Sequence, residues 1–243
     1  MAAVGAIFFA AHALGQVVER ISTDEFGVQG NGESTRPSVS ADGLYVAFSS
    51  KSDNLVSGDH NSKRDVFVRN RRTKQVVRVS IHSDGMESDG NSGRPSISAD
   101  GRFIAFGSDA TNLIDIDLNG KRDIFVHDRD PDGNGIFDEG NGTTVLASRG
   151  TFGQRGDFDS RRPAISSDGR YVAFRTSATT LLTLDTNGVD DILVRDLIDR
   201  TTVRVNVGSG GVQATGGDSD RPAISGSGRF VAFYSDAFNL APG

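Results

Sequence analysis

Four stretches of the chain alternate apolar and polar residues in almost the same words. They are RPSVSADGLYVAFSS from Arg36, RPSISADGRFIAFGS from Arg94, RPAISSDGRYVAFRT from Arg162 and RPAISGSGRFVAFYS from Arg221. A period of two marks strands with two unlike faces. Pro-x-Ile/Val-Ser makes one short strand and Tyr/Phe-Val/Ile-Ala-Phe the next. Between them stand Asp42-Gly43, Asp100-Gly101, Asp168-Gly169 and the weaker Ser227-Gly228. Asp-Gly between alternating runs predicts a two-residue hairpin turn with both central residues at positive φ. A third strand begins at Asp65 (DVFVR), Asp123 (DIFVH) and Asp191 (DILVR), and a fourth covers 76–81, 143–148 and 201–207.

The prolines of the repeated phrase lie at 37, 95, 163 and 222, in steps of 58, 68 and 59 residues. A period of this size marks a repeat architecture, in which each unit buries its apolar face only against its neighbours. Four antiparallel strands per unit are the content of one propeller blade. The first two strands occur four times, but the third and fourth follow in full only three times. Near the start, Ile7-Phe8-Phe9 followed by Gln16-Val17-Val18 parallels Val66-Phe67-Val68 followed by Gln75-Val76-Val77. The predicted fold is therefore all-β: a four-bladed β-propeller of four-stranded antiparallel blades, one blade closed by N-terminal strands. It is a single domain over 1–243, with units at about 23–81, 82–148, 149–207 and 208–243, the last completed by 1–22. Such closure would remove open sheet edges. Residues 2–13 carry a second reading, a signal-peptide apolar core ending in Ala11-His12-Ala13, although no positive charge precedes it.

Ser-x-Asp-Gly-Arg-Tyr-Val-Ala-Phe resembles the repeat of the PD40, or TolB-like WD40-type, β-propellers, and the resemblance covers residues 17–243. It implies the fold and no particular activity, because such propellers serve as periplasmic adaptors, peptidase gating domains and surface proteins. TolB-like propellers usually have more than four blades. The chain is therefore also readable as part of a larger ring, or as a piece that exchanges strands with a neighbour.

Composition removes several function classes. The 243 residues carry a formal charge of −6, and the longest basic stretches are Lys63-Arg64 and Arg71-Arg72-Thr73-Lys74. A nucleic-acid partner would need a larger cluster of Lys and Arg. Cysteine is absent, which leaves no disulfide or thiolate metal site. No apolar run approaches the ~18–20 residues of a membrane span.

Candidate chemistry lies in acidic loops. Before each third strand stand Asp59-x-Asn61-x-x-x-Asp65, Asp117-x-Asn119-Gly-x-x-Asp123 and Asp185-x-Asn187-Gly-x-x-Asp191. Side-chain oxygens at alternate positions suit a hard cation such as calcium. Equally, these residues can cap backbone N–H groups in Asx-turns, or the last Asp of each set can anchor the Arg before Pro. The long step of 68 marks an insertion, in which Asp130, Asp132, Asn134 and Asp138 fall at positions 1, 3, 5 and 9 of a calcium loop. Gly135 sits at position 6 and Ile136 offers a carbonyl. Position 12 is Asn141 in place of the usual Glu, for which Glu139 would substitute.

Other signals are thinner. His12, His60, His82 and His127 have no metal-ligand spacing. His127 aligns with Arg69 and Arg195, which predicts a surface position. Phe48, Phe106, Phe174 and Phe233 read as core between blades. Arg36, Arg94, Arg162 and Arg221 either ring one channel mouth as an anion-binding set or pair with neighbouring Asp. The sequence thus points to a non-catalytic, calcium-stabilised module, secreted, on the cell surface or periplasmic in a bacterium, with a protein or glycan partner and no nucleic acid. One alternative is an extracellular polymer self-associating through its N-terminal strands. Another is a hydrolase or lyase acting at the channel mouth, which would need a carboxylate or His cluster there.

Overall fold

The computed structural model describes residues 18–241 together with the backbone of 5–7. Sixteen strands are present among these residues, the number that four blades require. An N-terminal pair, β1 (Gly5–Ile7) and β2 (Val18–Arg20), comes first. Blade 1 holds β3 (Ser34–Val39), β4 (Tyr45–Ser50), β5 (Asp65–Asn70) and β6 (Val76–Arg78). Blade 2 holds β7 (Ser92–Ile97), β8 (Phe103–Ser108), β9 (Asp123–Asp128) and β10 (Thr143–Leu146). Blade 3 holds β11 (Ser160–Ile165), β12 (Tyr171–Thr176), β13 (Asp191–Asp196) and β14 (Thr202–Arg204). The fourth unit opens with β15 (Ser219–Ile224) and β16 (Val231–Ser235). Blades 1 to 3 are four-stranded antiparallel meanders, whereas β15–β16 and β1–β2 are separate two-stranded sheets. The molecule is an all-β, four-bladed propeller.

The blades are held by apolar layers between their faces. Ala47, Val66 and Val68 of blade 1 meet Ile104, Phe106 and Phe125 of blade 2. Ala105, Ile124 and Val126 on the opposite face of blade 2 meet Val172, Phe174 and Leu193 of blade 3. Both faces of a middle blade are therefore covered, so the second and third strands are buried almost end to end. Phe48, Phe106 and Phe174 are buried as expected, while Phe233 is only half-buried. Backbone hydrogen bonds stitch the inner turns in sequence: Ala41 N to Ala99 O (2.9 Å), Ala99 N to Ser167 O (3.0 Å) and Ser167 N to Gly226 O (2.9 Å). Among the described residues no such bond joins the fourth unit to blade 1.

Three expectations are corrected. The Asp-Gly turns do not place both residues at positive φ. Gly43, Gly101 and Gly169 alone adopt it, and Gly43 N bonds Ser40 O across a four-residue turn. Asp42 stays at negative φ because its Oδ1 accepts hydrogen bonds from Ser40 Oγ (2.6 Å) and Leu44 N (2.9 Å), which lock the longer loop. The fourth strands end early, at Arg78, Leu146 and Arg204. Two residues further on, a side chain replaces the ladder: Val66 N donates to Ser80 Oγ, Ile124 N to Ser148 Oγ and Ile192 N to the Asn206 side-chain oxygen. Third, His127 is buried, not exposed. The segment that leads into each blade crosses the third strand of that blade, and Arg69, at the aligned position in blade 1, donates to the carbonyls of Thr23 and Asp24 there. His127 instead meets Thr144 Oγ1 (2.9 Å), and burial pushes its pKa down to about 4.

The N-terminal pair is formed, with Ile7 opposite Val18 and Gly5 opposite Arg20. Ten residues separate Ile7 from Val18, against six between the matching Arg69 and Val76 of blade 1. Ile21, just after β2, enters the apolar cluster with Val46, Phe48 and Phe67, and Glu19 bridges Arg71 and Lys74. His12 and the rest of 8–17 lie outside the described residues.

Candidate functional site

The three Asp-x-Asn loops are built alike. In blade 1, Asn61 Nδ2 donates to Asp65 Oδ2 (2.9 Å), and Ser80 Oγ donates to Asp65 Oδ1 (2.5 Å). Blade 2 repeats this with Asn119 and Ser148 on Asp123, and blade 3 with Asn187 and Asn206 on Asp191. Each Asp thus ties the start of the third strand to the end of the fourth. The aspartates do not anchor the Arg before Pro.

Positive charge in these loops comes from the protein itself. Arg78 of β6 reaches Asp59 at 2.9 Å, Glu87 at 2.7 Å and Asp65 at 4.0 Å. Arg204 of β14 reaches Asp185 at 2.8 Å and Asp191 at 3.0 Å. Blade 2 differs, because Leu146 stands where Arg78 and Arg204 stand. Arg155 approaches from the next connection, 3.6 Å from Asp117, and both Asp117 carboxylate oxygens are buried without a hydrogen bond. Burial raises the carboxyl pKa of Asp59 and of Asp123 to about 6, and shifts Asp65, Asp117 and Asp185 upward as well. The repeated Arg-Val-Ser and Arg-Val-Asn, at 78–80 and 204–206, were the sequence signal for this lock.

The insertion folds as a turn docked on the blade rim. Asp130 accepts hydrogen bonds from Asn134 N (3.0 Å) and Gly135 N (3.1 Å). Asn134 Nδ2 reaches Asp132 (3.1 Å) and Glu139 (2.6 Å). Asp138 is turned away: both its oxygens hold the buried Arg129, which also stacks on Tyr45 and Phe137 and donates to Gly101 O. The loop therefore ties Asp130, Asp132 and Glu139 each to Asn134 and gives Asp138 to an arginine. Ile136 N is held by Asn134 Oδ1 at 2.7 Å. Among the described residues no three His, Asp or Glu side chains converge as a metal-holding group.

The Arg-Pro corners converge. Arg36, Arg94, Arg162 and Arg221, each followed by Pro, line one cavity of about 250 Å³. All four have φ between +53° and +57°, where non-glycine residues are uncommon. The pairing of first and second strands shifts register at this point in each unit, so a β-bulge re-aims the Arg. The four are not equivalent. Arg162 pairs with Asp220 at 2.8 Å, and Arg221 lies 3.9 Å from the same residue. Arg36 and Arg94 have no ion pair among the described residues.

These features define a β-propeller. The fold is similar to TolB from Agrobacterium tumefaciens, with TM-score 0.52 and 19% identity over 93% of this chain and 62% of that one. TolB from Acinetobacter baumannii matches with TM-score 0.49 and 14% identity over 89% of this chain and 40% of its own. Hydrazine synthase of Kuenenia stuttgartiensis shares the fold at TM-score 0.52 and 12% identity, over 93% of this chain and 31% of that one. The chain thus spans less than two thirds of the length of these structures. No protein-family model matches it, and no curated protein does. Among the described residues no helix is long and apolar enough to cross a membrane.

Proposed function

We propose that the chain is a non-catalytic, calcium-stabilised propeller that presents a binding or scaffold surface in the periplasm or outside a bacterial cell. The observation that carries this reading is the insertion loop. Asp132, Asn134 and Glu139 lie within hydrogen-bond reach of one another, and the Asp130 carboxylate is oriented by two backbone N–H groups. Side chains of this kind and the Ile136 carbonyl are the hard oxygen donors that calcium takes. Calcium would neutralise the loop and pin it to the rim. The second place for it is the blade 2 loop of Asp117, Asn119 and Asp123, where no arginine stands on the fourth strand and both Asp117 oxygens want a partner. In blades 1 and 3, at Asp59, Asn61 and Asp65 and at Asp185, Asn187 and Asp191, Arg78 and Arg204 supply the positive charge from the fourth strand, although Asp185 Oδ1 and Asp191 Oδ2 are also buried without a hydrogen bond. A TolB-like repeat and a chain without cysteine suit a calcium-rich extracytoplasmic setting.

Thermal unfolding with light scattering, in excess calcium and again in excess chelator, tests the reading. A higher Tm in calcium at unchanged mass is expected, and Asp132→Asn together with Asp117→Asn should remove the gain. An unchanged Tm would overturn the calcium role. A second reading, strand exchange between copies, is favoured by β15–β16 and β1–β2 standing as separate two-stranded sheets among the described residues and by exposed Phe230, Tyr234 and Phe238. It predicts a mass that rises with concentration and is lost on deleting residues 1–22.

A further inference from the structure

Beside the axial corners lies a second cavity of about 530 Å³, between blades 1 and 2. Five cations line it, Arg36, Lys51, Arg64, Arg94 and Arg122, against a single carboxylate, Glu33. Glu33 is already used by Arg64 at 2.7 Å, and Arg122 pairs with Asp109 at 2.7 Å. Among the described residues Arg36, Lys51 and Arg94 have no ion pair. The chain as a whole carries −6, so this is a concentrated positive site in an acidic molecule.

The repeat itself shows that the excess is local. Where blades 1 and 2 carry Arg64 and Arg122, blade 3 carries Asp190. Where they carry Thr35 and Gly93, the fourth unit carries Asp220. On that side Asp190 and Asp220 take up Arg175 and Arg162. Half of the axial mouth is neutralised by acidic residues and half is left positive. Burial, with the like charges of Arg36, Arg162 and Arg122 added to it, pushes the pKa of Arg94 down to about 10. The Asp220 carboxylate opposes this shift only in part, and Arg36 and Arg94 are also held in a strained backbone conformation. Strain and unpaired charge held by the surrounding structure are features of ligand sites.

We propose that the cavity between blades 1 and 2 binds a phosphate group carrying two or more negative charges, with Arg36 and Arg94 as its principal ligands. Guanidinium forks donate pairs of hydrogen bonds to phosphate oxygens. Lys51 adds a point charge, and Thr35 and Ser49 line the same space with hydroxyl groups. The volume falls within the range of small-molecule sites. Arg64 and Arg122 of the lining stand one residue before Asp65 and Asp123 of the acidic loops, so anion binding is measured in chelator to keep the two sites apart.

Isothermal titration at low ionic strength, with chelator present, provides the test. Inorganic pyrophosphate is the probe, with inorganic phosphate and citrate as comparison anions. The expected result is binding of pyrophosphate that is tighter than that of citrate. Arg36→Gln and Arg94→Gln should each weaken it by about tenfold or more, the loss of one charge-assisted fork. Arg229→Gln, on an exposed turn of the fourth unit, should change it less than about twofold. Without any anion, Arg94→Gln should leave the Tm unchanged or raise it, because a like charge is removed. No binding of any anion would overturn the proposal, as would equal weakening by Arg229→Gln. Tighter citrate binding would overturn the phosphate assignment. A lower Tm for Arg94→Gln would make the arginine a structural residue.

Discussion

At the scale of single residues, this protein handles buried charge by placing an arginine where an acidic loop would otherwise need an ion. Arg78 and Arg204 are themselves nearly buried, and they face three and two carboxylates respectively. Burial costs a carboxylate its hydration, which favours the protonated form. Asp59, with its pKa raised to about 6 from an ordinary 3.8, therefore holds its proton more tightly in the folded state. Its contribution is largest below the unfolded value and is lost as pH rises through about 6. In chelator, the Tm of the wild type minus that of Asp59→Asn should accordingly grow as pH falls from about 7 to about 4.5. A difference that shrinks over this window would contradict the burial argument. The repeated Asp and Asn were legible in the sequence, but their partners were not. Arg78 lies 13 residues from Asp65, and only the antiparallel return of β6 beside β5 brings the two together.

At the scale of elements, the first hairpin of each unit is also a contact between blades. Gly101 sits at φ +84°, and a Cβ built there would lie 2.3 Å from the Tyr45 ring of the preceding blade. Gly43 has a similar φ of +70°, but its nearest neighbour is the end of Arg71 at 3.7 Å. Gly43→Ala should therefore cost about 1–2 kcal/mol, the penalty of a left-handed L-residue. Gly101→Ala should cost clearly more, because the ring must also move. Urea unfolding of the two variants separates these terms, and equal losses would show that the aromatic contact contributes nothing. The hairpin was legible from Asp-Gly and alternation. Its loop length was not, because the Ser40–Asp42 hydrogen bond competes with the two-residue turn.

At the scale of the molecule, stability comes from apolar layers that no blade can complete alone. Phe106 is fully buried between blades 1 and 2, stacked on Phe125 at 6.0 Å, so Phe106→Ala should cost about 3–5 kcal/mol. Its repeat partner Phe233 is only half-buried among the described residues, and Phe233→Ala should cost distinctly less. Equal losses would mean that the fourth unit is as fully packed as the second. The same asymmetry separates Arg36 and Arg94 from Arg162 and Arg221. Four copies of one phrase look identical on paper, yet each meets a different neighbour.

Period-two alternation, the Asp-Gly turns and the steps of 58, 68 and 59 residues determined by themselves that this is a propeller of four-stranded units with one insertion. These are local signals, written within each repeat. Pairing of charges was decided only by tertiary structure. Asp138 went to Arg129, Asp59 to Arg78 and Arg162 to Asp220, while Arg36 and Arg94 found no carboxylate partner among the described residues. Such choices depend on which side chains different blades bring within a few ångströms, and a repeat read one unit at a time contains no record of its neighbours.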